Sequence, residues 1–365
     1  MDSSAVYPRP VLKKLPQYQS GKPPAAIEGL TPYKLASNEN PYAPIKAATD
    51  AIVAAATSEL VQRYPETTYT QLRRLIGETY DVSIEDVVVG AGSLGVFTAL
   101  VQTYAGTGDD GALDEVIIPW RSFEAYPIVI RSAGANDVMV PVQDNGEHDL
   151  EAMLDAITDR TRMIVLCTPN NPTGPVLTEQ VVREFIERVP EHILVVIDGA
   201  YIEFVRNDGV VNYLELYREF SNVAVLRTFS KAHGLANLRV GYAVAPEQIC
   251  APMRTVMSAF PTSTVGVEAA YASLSNMDEV MANTEKVVDE RRRVWKALDA
   301  LGYNPPATEA NFVWLPLGEK SQAFADACGA QALSVRAFAP EGVRVSIGEV
   351  EANDRLIQVA TDFAE

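Results

Sequence analysis

Between residues 87 and 244 the chain repeats one rhythm: a short apolar run, a polar break, then a longer stretch with apolar positions at helical spacing. Runs this short and this rich in β-branched residues read as strands buried on both faces. The pattern predicts strands at Val87–Val89, Glu115–Ile118, Asp137–Val140, Met163–Cys167, Ile193–Ile197, Val223–Arg227 and Tyr242–Val244. It predicts helices between them at Ser93–Tyr104, Tyr126–Ser132, Leu150–Ile157 and Thr178–Val189. Strands that alternate with helices make a mainly parallel sheet covered on both sides, the three-layer α/β arrangement.

The flanks differ. The proline-rich start, with the polar run Ser37-Asn38-Glu39-Asn40-Pro41, reads as an extended arm. Amphipathic helices follow at Ile45–Leu60 and Thr70–Tyr80. After Pro246 one long helical region is expected to about Leu301, then short strands at Asn311–Leu315 and Val343–Ile347 and a closing helix at Asn353–Phe363. The expected organisation is an arm over residues 1–44 that joins the smaller lobe, a large domain over 45–250 and a smaller α+β domain over 251–365.

Composition narrows the function. With 47% hydrophobic and 21% charged residues this is an ordinary globular balance. A net charge of -18 disfavours nucleic acid and anionic membrane as partners. It leaves room for small anions, because screening over about 8 Å lets local arginines dominate. Three cysteines without metal-ligand spacing, no signal pattern and no long apolar stretch lead to the expectation of a cytoplasmic protein without metal.

Gly90-Ala91-Gly92-Ser93-Leu94-Gly95 fits a dinucleotide-binding spacing after a strand and before a helix. That fingerprint needs an acidic residue at the end of the next strand, and here the strand ends in Pro119-Trp120. A narrower reading survives: an anion at the start of the helix opened by Ser93.

The chemistry gathers at strand ends. Thr228-Phe229-Ser230-Lys231 follows one strand, with Arg239 eight residues beyond the lysine. Phe229, Leu235 and Leu238 give Lys231 apolar company, which lowers an amine's pKa and suits it to Schiff-base chemistry. Thr228, Ser230 and Arg239 supply the hydroxyls and fixed fork of a phosphate site. Asp198 ends a wholly apolar strand and needs a cation or donor, such as a protonated ring nitrogen, and Tyr201 stands three residues on. The turn Asn170-Asn171-Pro172-Thr173-Gly174 follows a third strand. Each feature alone also fits a plain cap or turn; together they converge where open α/β sheets bind ligands.

These residues resemble the fold-type I aminotransferases dependent on pyridoxal 5'-phosphate, in the histidinol-phosphate aminotransferase branch. The resemblance rests on Lys34-Leu35-Ala36-Ser37-Asn38-Glu39-Asn40-Pro41, Arg63-Tyr64-Pro65, Asn170 to Gly174, Asp198 to Tyr201, and Ser230-Lys231 through Arg239, in the family's order. It implies Lys231 as the Schiff-base lysine and Asp198 as partner of the pyridine nitrogen. Asn171 and Tyr201 would hold the ring's phenolic oxygen; Gly92, Ser93, Thr228, Ser230 and Arg239 the phosphate; and Phe123 would stack on the ring. Tyr64 would reach the cofactor of a second subunit in a homodimer. Arg344 would grip the substrate's anionic group, with Arg336 as a second cation and Asn38 and Asn171 near the substrate. One departure stands out: Gly199 replaces the glutamate of the family's usual Asp-Glu-Ala-Tyr.

Within the branch, Trp120 to Pro127 and Asn311 to Leu317 resemble the actinobacterial aromatic amino acid (phenylalanine) aminotransferases. Trp120 and Tyr126 fit core aromatics equally well. The resemblance implies amino transfer from an aromatic amino acid to 2-oxoglutarate, with histidinol phosphate as the alternative donor. A lyase using the same lysine and aspartate is a further alternative. A regulator on this scaffold would add a DNA-binding domain, for which the arm before Ser37 leaves no room.

Overall fold

The structure, a computed structural model, describes residues 6–364 except 16, 20, 208 and 210–212. In chain order the elements begin with strand β1 (Tyr33–Lys34) and helices α1 (Lys46–Ala56) and α2 (Thr70–Tyr80). An alternating stretch follows: β2 (Val87–Ala91), α3 (Gly92–Tyr104), β3 (Glu115–Trp120), α4 (Ala125–Ala133), β4 (Asn136–Pro141), α5 (Leu150–Asp155), β5 (Thr161–Cys167), α6 (Glu179–Ile186), β6 (Leu194–Asp198), α7 (Leu214–Glu219), β7 (Val223–Thr228) and β8 (Val240–Val244).

The strands β2 to β8 form one seven-stranded sheet in the order β2-β8-β7-β6-β5-β3-β4. The pairs among β3, β4, β5, β6 and β7 are parallel, and β8 runs antiparallel to both β7 and β2. Neighbouring residues of one strand feed opposite faces: Ile164, Val195 and Val225 pack into one apolar cluster, and Val165, Val196 and Ala224 into the other. That double burial is why these strands read as unbroken apolar runs. Helices α3 and α4 cover the second face through Phe97, Leu100, Val129 and Ile130.

The helical region after Pro246 divides into three helices: α8 (Glu247–Val256), α9 (Thr264–Leu274) and α10 (Met277–Ala300). Pro261 cannot donate a helical hydrogen bond, and Ser263 caps α9 by accepting from the Gly266 amide at 3.1 Å. The expected boundary at residue 250 falls inside α8, where Ile249, Cys250 and Met253 pack with α3 of the large lobe.

The second lobe adds β9 (Phe312–Leu315), α11 (Ser321–Ala330), β10 (Leu333–Ser334), β11 (Arg336–Phe338), β12 (Gly342–Ser346) and α12 (Val350–Ala364). Strands β11, β12 and β9 form an antiparallel sheet in that order, and β10 pairs in parallel with β1 of the arm. The arm continues along this lobe, the Ser346 amide donating to Leu35 O at 2.8 Å. Residues 36–39 are thereby laid across the carboxyl ends of the large sheet.

Candidate active site

A cavity of about 310 Å³ lies between the carboxyl ends of the sheet, the arm and β11–β12. It is lined by Asn38, Ser93, Phe123, Asn171, Asp198, Tyr201, Thr228, Ser230, Lys231, Arg239, Arg336 and Arg344 among others. These residues come from distant parts of the chain, and the parallel strands explain their meeting: β5, β6 and β7 end side by side.

One end of the cavity is built for an anion. Gly92 begins α3 with φ 72°, and a side chain there would drive into the Arg239 guanidinium. Gly241 clears the other side, since an added Cβ would lie 2.5 Å from the Gly92 carbonyl carbon. The Ser93 end of a 13-residue helix therefore stands beside Arg239, where backbone amides and the helix dipole favour negative charge. Arg239 donates weakly to Ser230 Oγ at 3.4 Å, and Ser230 Oγ accepts from Thr228 Oγ1 at 3.0 Å. Among the described residues no carboxylate pairs with Arg239.

The opposite end is built for a cation. Asp198, 6% exposed, accepts from the Tyr126 hydroxyl at 2.7 Å and from the Ala200 amide at 3.2 Å, with no ion-pair partner among the described residues. Burial raises its pKa, while those two donors and the charge of Lys231 lower it. A carboxylate held in this way calls for a protonated nitrogen in front of it.

Lys231 lines the same cavity, within reach of the charges of both Arg239 and Asp198. Its Nζ donates to the carbonyls of Asn38 at 3.2 Å and Ser37 at 3.4 Å. Burial, with the nearby Arg344 and Arg239, depresses its amine from 10.5 to about 7, against the opposing pull of Glu39 and Asp198. The neutral, nucleophilic form is thus available near neutrality.

Arg344 is 9% exposed and donates to Asn171 Oδ1 at 2.5 Å and to Ala36 O at 2.7 Å. Its Nε has no hydrogen-bond partner among the described residues. Asn38 closes the wall: its side chain donates to the Tyr201 hydroxyl at 2.9 Å and accepts from Ser346 Oγ at 2.9 Å. Arg336 is tied to Glu124 at 2.8 Å.

Tyr64 is the exception. It is 81% exposed and stacks on Phe260 at 4.5 Å, outside this cavity. Sequence reasoning missed the part played by Tyr126, placed only as a possible core aromatic. A tyrosine in the apolar first turns of a helix needs a partner for its hydroxyl, and that was the available signal. Glu124, Cys167 and Phe338 also line the cavity without having been singled out. The missing glutamate at Gly199 is answered nearby: the buried Arg227, which a Cβ at Gly199 would touch at 3.5 Å, pairs with Glu203 at 2.7 Å.

Among the described residues no group of His, Cys, Asp and Glu could hold a metal, and no helix is long and apolar enough to cross a membrane. The sequence model of the family Aminotransferase class I and II matches residues 31–359. The chain is 48% identical over 355 residues to an aromatic amino acid aminotransferase of Streptomyces coelicolor, covering 97% of each. It is 46% identical over 351 residues to the protein of that name from Mycobacteroides abscessus, covering 96% of this chain and 97% of that one. Its fold matches histidinol-phosphate aminotransferase from Sinorhizobium meliloti, solved with pyridoxal-5'-phosphate, at TM-score 0.87 and 24% identity over 99% of this chain and 98% of that one. An aspartate aminotransferase from Thermotoga maritima matches at TM-score 0.82 and 21% identity, over 92% of each. The chain belongs to the class I and II aminotransferases.

Proposed function

We propose that this aminotransferase takes the amino group from an aromatic amino acid of the phenylalanine or tyrosine type and passes it to 2-oxoglutarate. The cofactor is pyridoxal 5'-phosphate. One observation carries the cofactor's placement: Arg239 and Asp198, neither with an ion-pair partner among the described residues, line one cavity together with Lys231. A ligand with phosphate at one end and a protonated nitrogen at the other complements both.

When bound, the cofactor supplies an aldehyde that links to amines and a protonated ring that takes up electrons from the substrate's α-carbon. Lys231 would be the residue that holds the cofactor covalently. With burial depressing its amine to about 7 in the cofactor-free chain, Lys231 would serve as the base that carries a proton at the substrate's α-carbon. Asp198 would face the protonated ring nitrogen, and Tyr126 and the Ala200 amide orient Asp198 and favour its ionised form against burial. Ser93, Thr228, Ser230 and Arg239 hold the phosphate. Asn171 and Tyr201 hold the ring's phenolic oxygen, and Phe123 stacks on the ring. Arg344 takes the α-carboxylate, beside Asn38 and Asn171.

The aromatic preference rests on the named relatives at 46–48% identity. Apolar walls at Phe123 and Phe338 support it. The working unit is a cytoplasmic homodimer in which Tyr64 reaches the phosphate of the partner's cofactor; exposed Leu60, Val61 and Tyr64 supply an apolar patch for it. Tyr64→Phe should then loosen cofactor retention, whereas equal retention in a monomeric protein would contradict the shared site.

The test of substrate class is a half-reaction screen on the cofactor-loaded protein. Phenylalanine and tyrosine should bleach the cofactor's visible band faster than leucine or histidinol phosphate. A large advantage for histidinol phosphate would replace the aromatic assignment.

A further inference from the structure

The cavity contains two arginines in different electrostatic states. Arg336 and Arg344 lie directly opposite each other in the antiparallel pair β11–β12, so their side chains leave the sheet on the same face. Both line the cavity, over the ring of Phe338 at 5.3 and 5.8 Å. Arg344 meets only neutral oxygens, those of Asn171 and Ala36, and has no carboxylate partner among the described residues. Arg336 is neutralised: its Nη2 lies 2.8 Å from Oε2 of Glu124, which stands at the start of α4 in the other lobe.

The pocket therefore offers one uncompensated guanidinium and one compensated by an internal carboxylate. A ligand with a single carboxylate and a neutral side chain can use Arg344 and leave the Arg336–Glu124 pair intact. A second anionic group must displace Glu124 or lie beside it, and like charges in a confined site repel.

We propose that Glu124 is a specificity-setting residue: by occupying Arg336 it biases the pocket toward monocarboxylic substrates with uncharged side chains and against a second anionic group. The inference rests on the aminotransferase reading of the site and extends it to a residue with no part in the transfer itself. It makes dicarboxylates, including the acceptor, compete with Glu124 for Arg336.

The test is binding of two unreactive ligands, glutarate with two carboxylates and 3-phenylpropanoate with one, to the cofactor-loaded protein by calorimetry. The ratio of their Kd values should shift about tenfold toward glutarate in Glu124→Gln, the scale of one freed charge contact. The shift should vanish in the double variant Glu124→Gln with Arg336→Gln, and Glu124→Asp should restore much of the original ratio. Thermal melting and the cofactor's visible band report whether each variant is folded and loaded; Glu124→Asp and the Arg336→Gln single variant supply the comparison if Glu124→Gln is not. A ratio that stays the same when the Glu124 carboxylate is withdrawn overturns the proposal. Failure of the aromatic reading looks different: phenylalanine would not bleach the cofactor although the glutarate ratio still shifted.

Discussion

The hydroxyl of Tyr126 sits 2.7 Å from Oδ2 of Asp198, joining the first turns of α4 to the carboxyl end of β6 beneath the cavity floor. Burial works against ionising Asp198, and this donor with the Ala200 amide works for it. The net shift is upward, so these two hydrogen bonds and the charge of Lys231 only partly offset the burial that opposes the carboxylate form.

Removing that donor has a defined sign. In Tyr126→Phe the pKa of Asp198 rises further, so the carboxylate is lost earlier as pH falls. The acid limb of kcat/KM should move to higher pH, with roughly a tenfold loss at the optimum, the scale of a hydrogen bond to a charged group. A pH–rate profile that overlays the parent's would show that Tyr126 serves packing alone.

The amine of Lys231 gives a second test. Its pKa falls from 10.5 to about 7, with burial the leading cause. In protein stripped of cofactor, Lys231 should be acylated far faster at pH 8 than surface lysines, with a midpoint near 7 found by peptide mapping. The linkage to stability has a clear direction. Between 10.5 and about 7 the unfolded chain binds a proton that the folded one does not, so this group lowers stability as pH falls through that window and adds no slope below it. Lys231→Met should remove this component of the pH dependence and abolish turnover.

Much of this site was legible in the chain because its chemistry sits where apolar runs end. Asp198, Lys231 and Asn171 each follow a strand long enough to read, and a parallel sheet brings such ends together without further information. Tyr126 was harder, since an aromatic in an apolar helix looks the same whether its hydroxyl reaches solvent or a carboxylate. Glu124 and Arg336 pair across 212 positions of sequence, a relation that local pattern does not carry. In the fold, α11 escaped notice: a 10-residue, alanine-rich stretch in which Phe324 and Cys328 are the larger buried side chains. The long helical region expected after Pro246 is broken around Pro261 and at Ser275-Asn276, breaks masked by the helical spacing on either side.

The anion end depends on close backbone approach. A Cβ at Gly241 would fall 2.3 Å from the Ser93 nitrogen and 2.5 Å from the Gly92 carbonyl carbon, and neither atom can move without shifting the start of α3. Gly241→Ala should therefore cost about 1–3 kcal/mol of stability and weaken cofactor affinity at least tenfold, measured by denaturant unfolding and cofactor titration. Unchanged affinity would mean that the Ser93 amide takes no part in holding the phosphate.

The residue that departs from the family pattern invites the last test. Arg227 is buried in β7, donates to Glu203 at 2.7 Å and lies 5.4 Å from the ring of Tyr80. Glu203→Gln leaves a buried cation without its counter-charge, which costs about 3–5 kcal/mol, read as a lowered urea midpoint with unchanged slope. Gly199 sits where a Cβ would touch Arg227 Cδ at 3.5 Å and Leu226 O at 3.3 Å, so a glutamate introduced there reaches the same guanidinium. Combining Gly199→Glu with Glu203→Gln should recover more than half of the loss, because a carboxylate is again beside the arginine. If recovery fails while Gly199→Glu alone is harmless, positions 199 and 203 do not serve one cation, and the glycine needs another explanation.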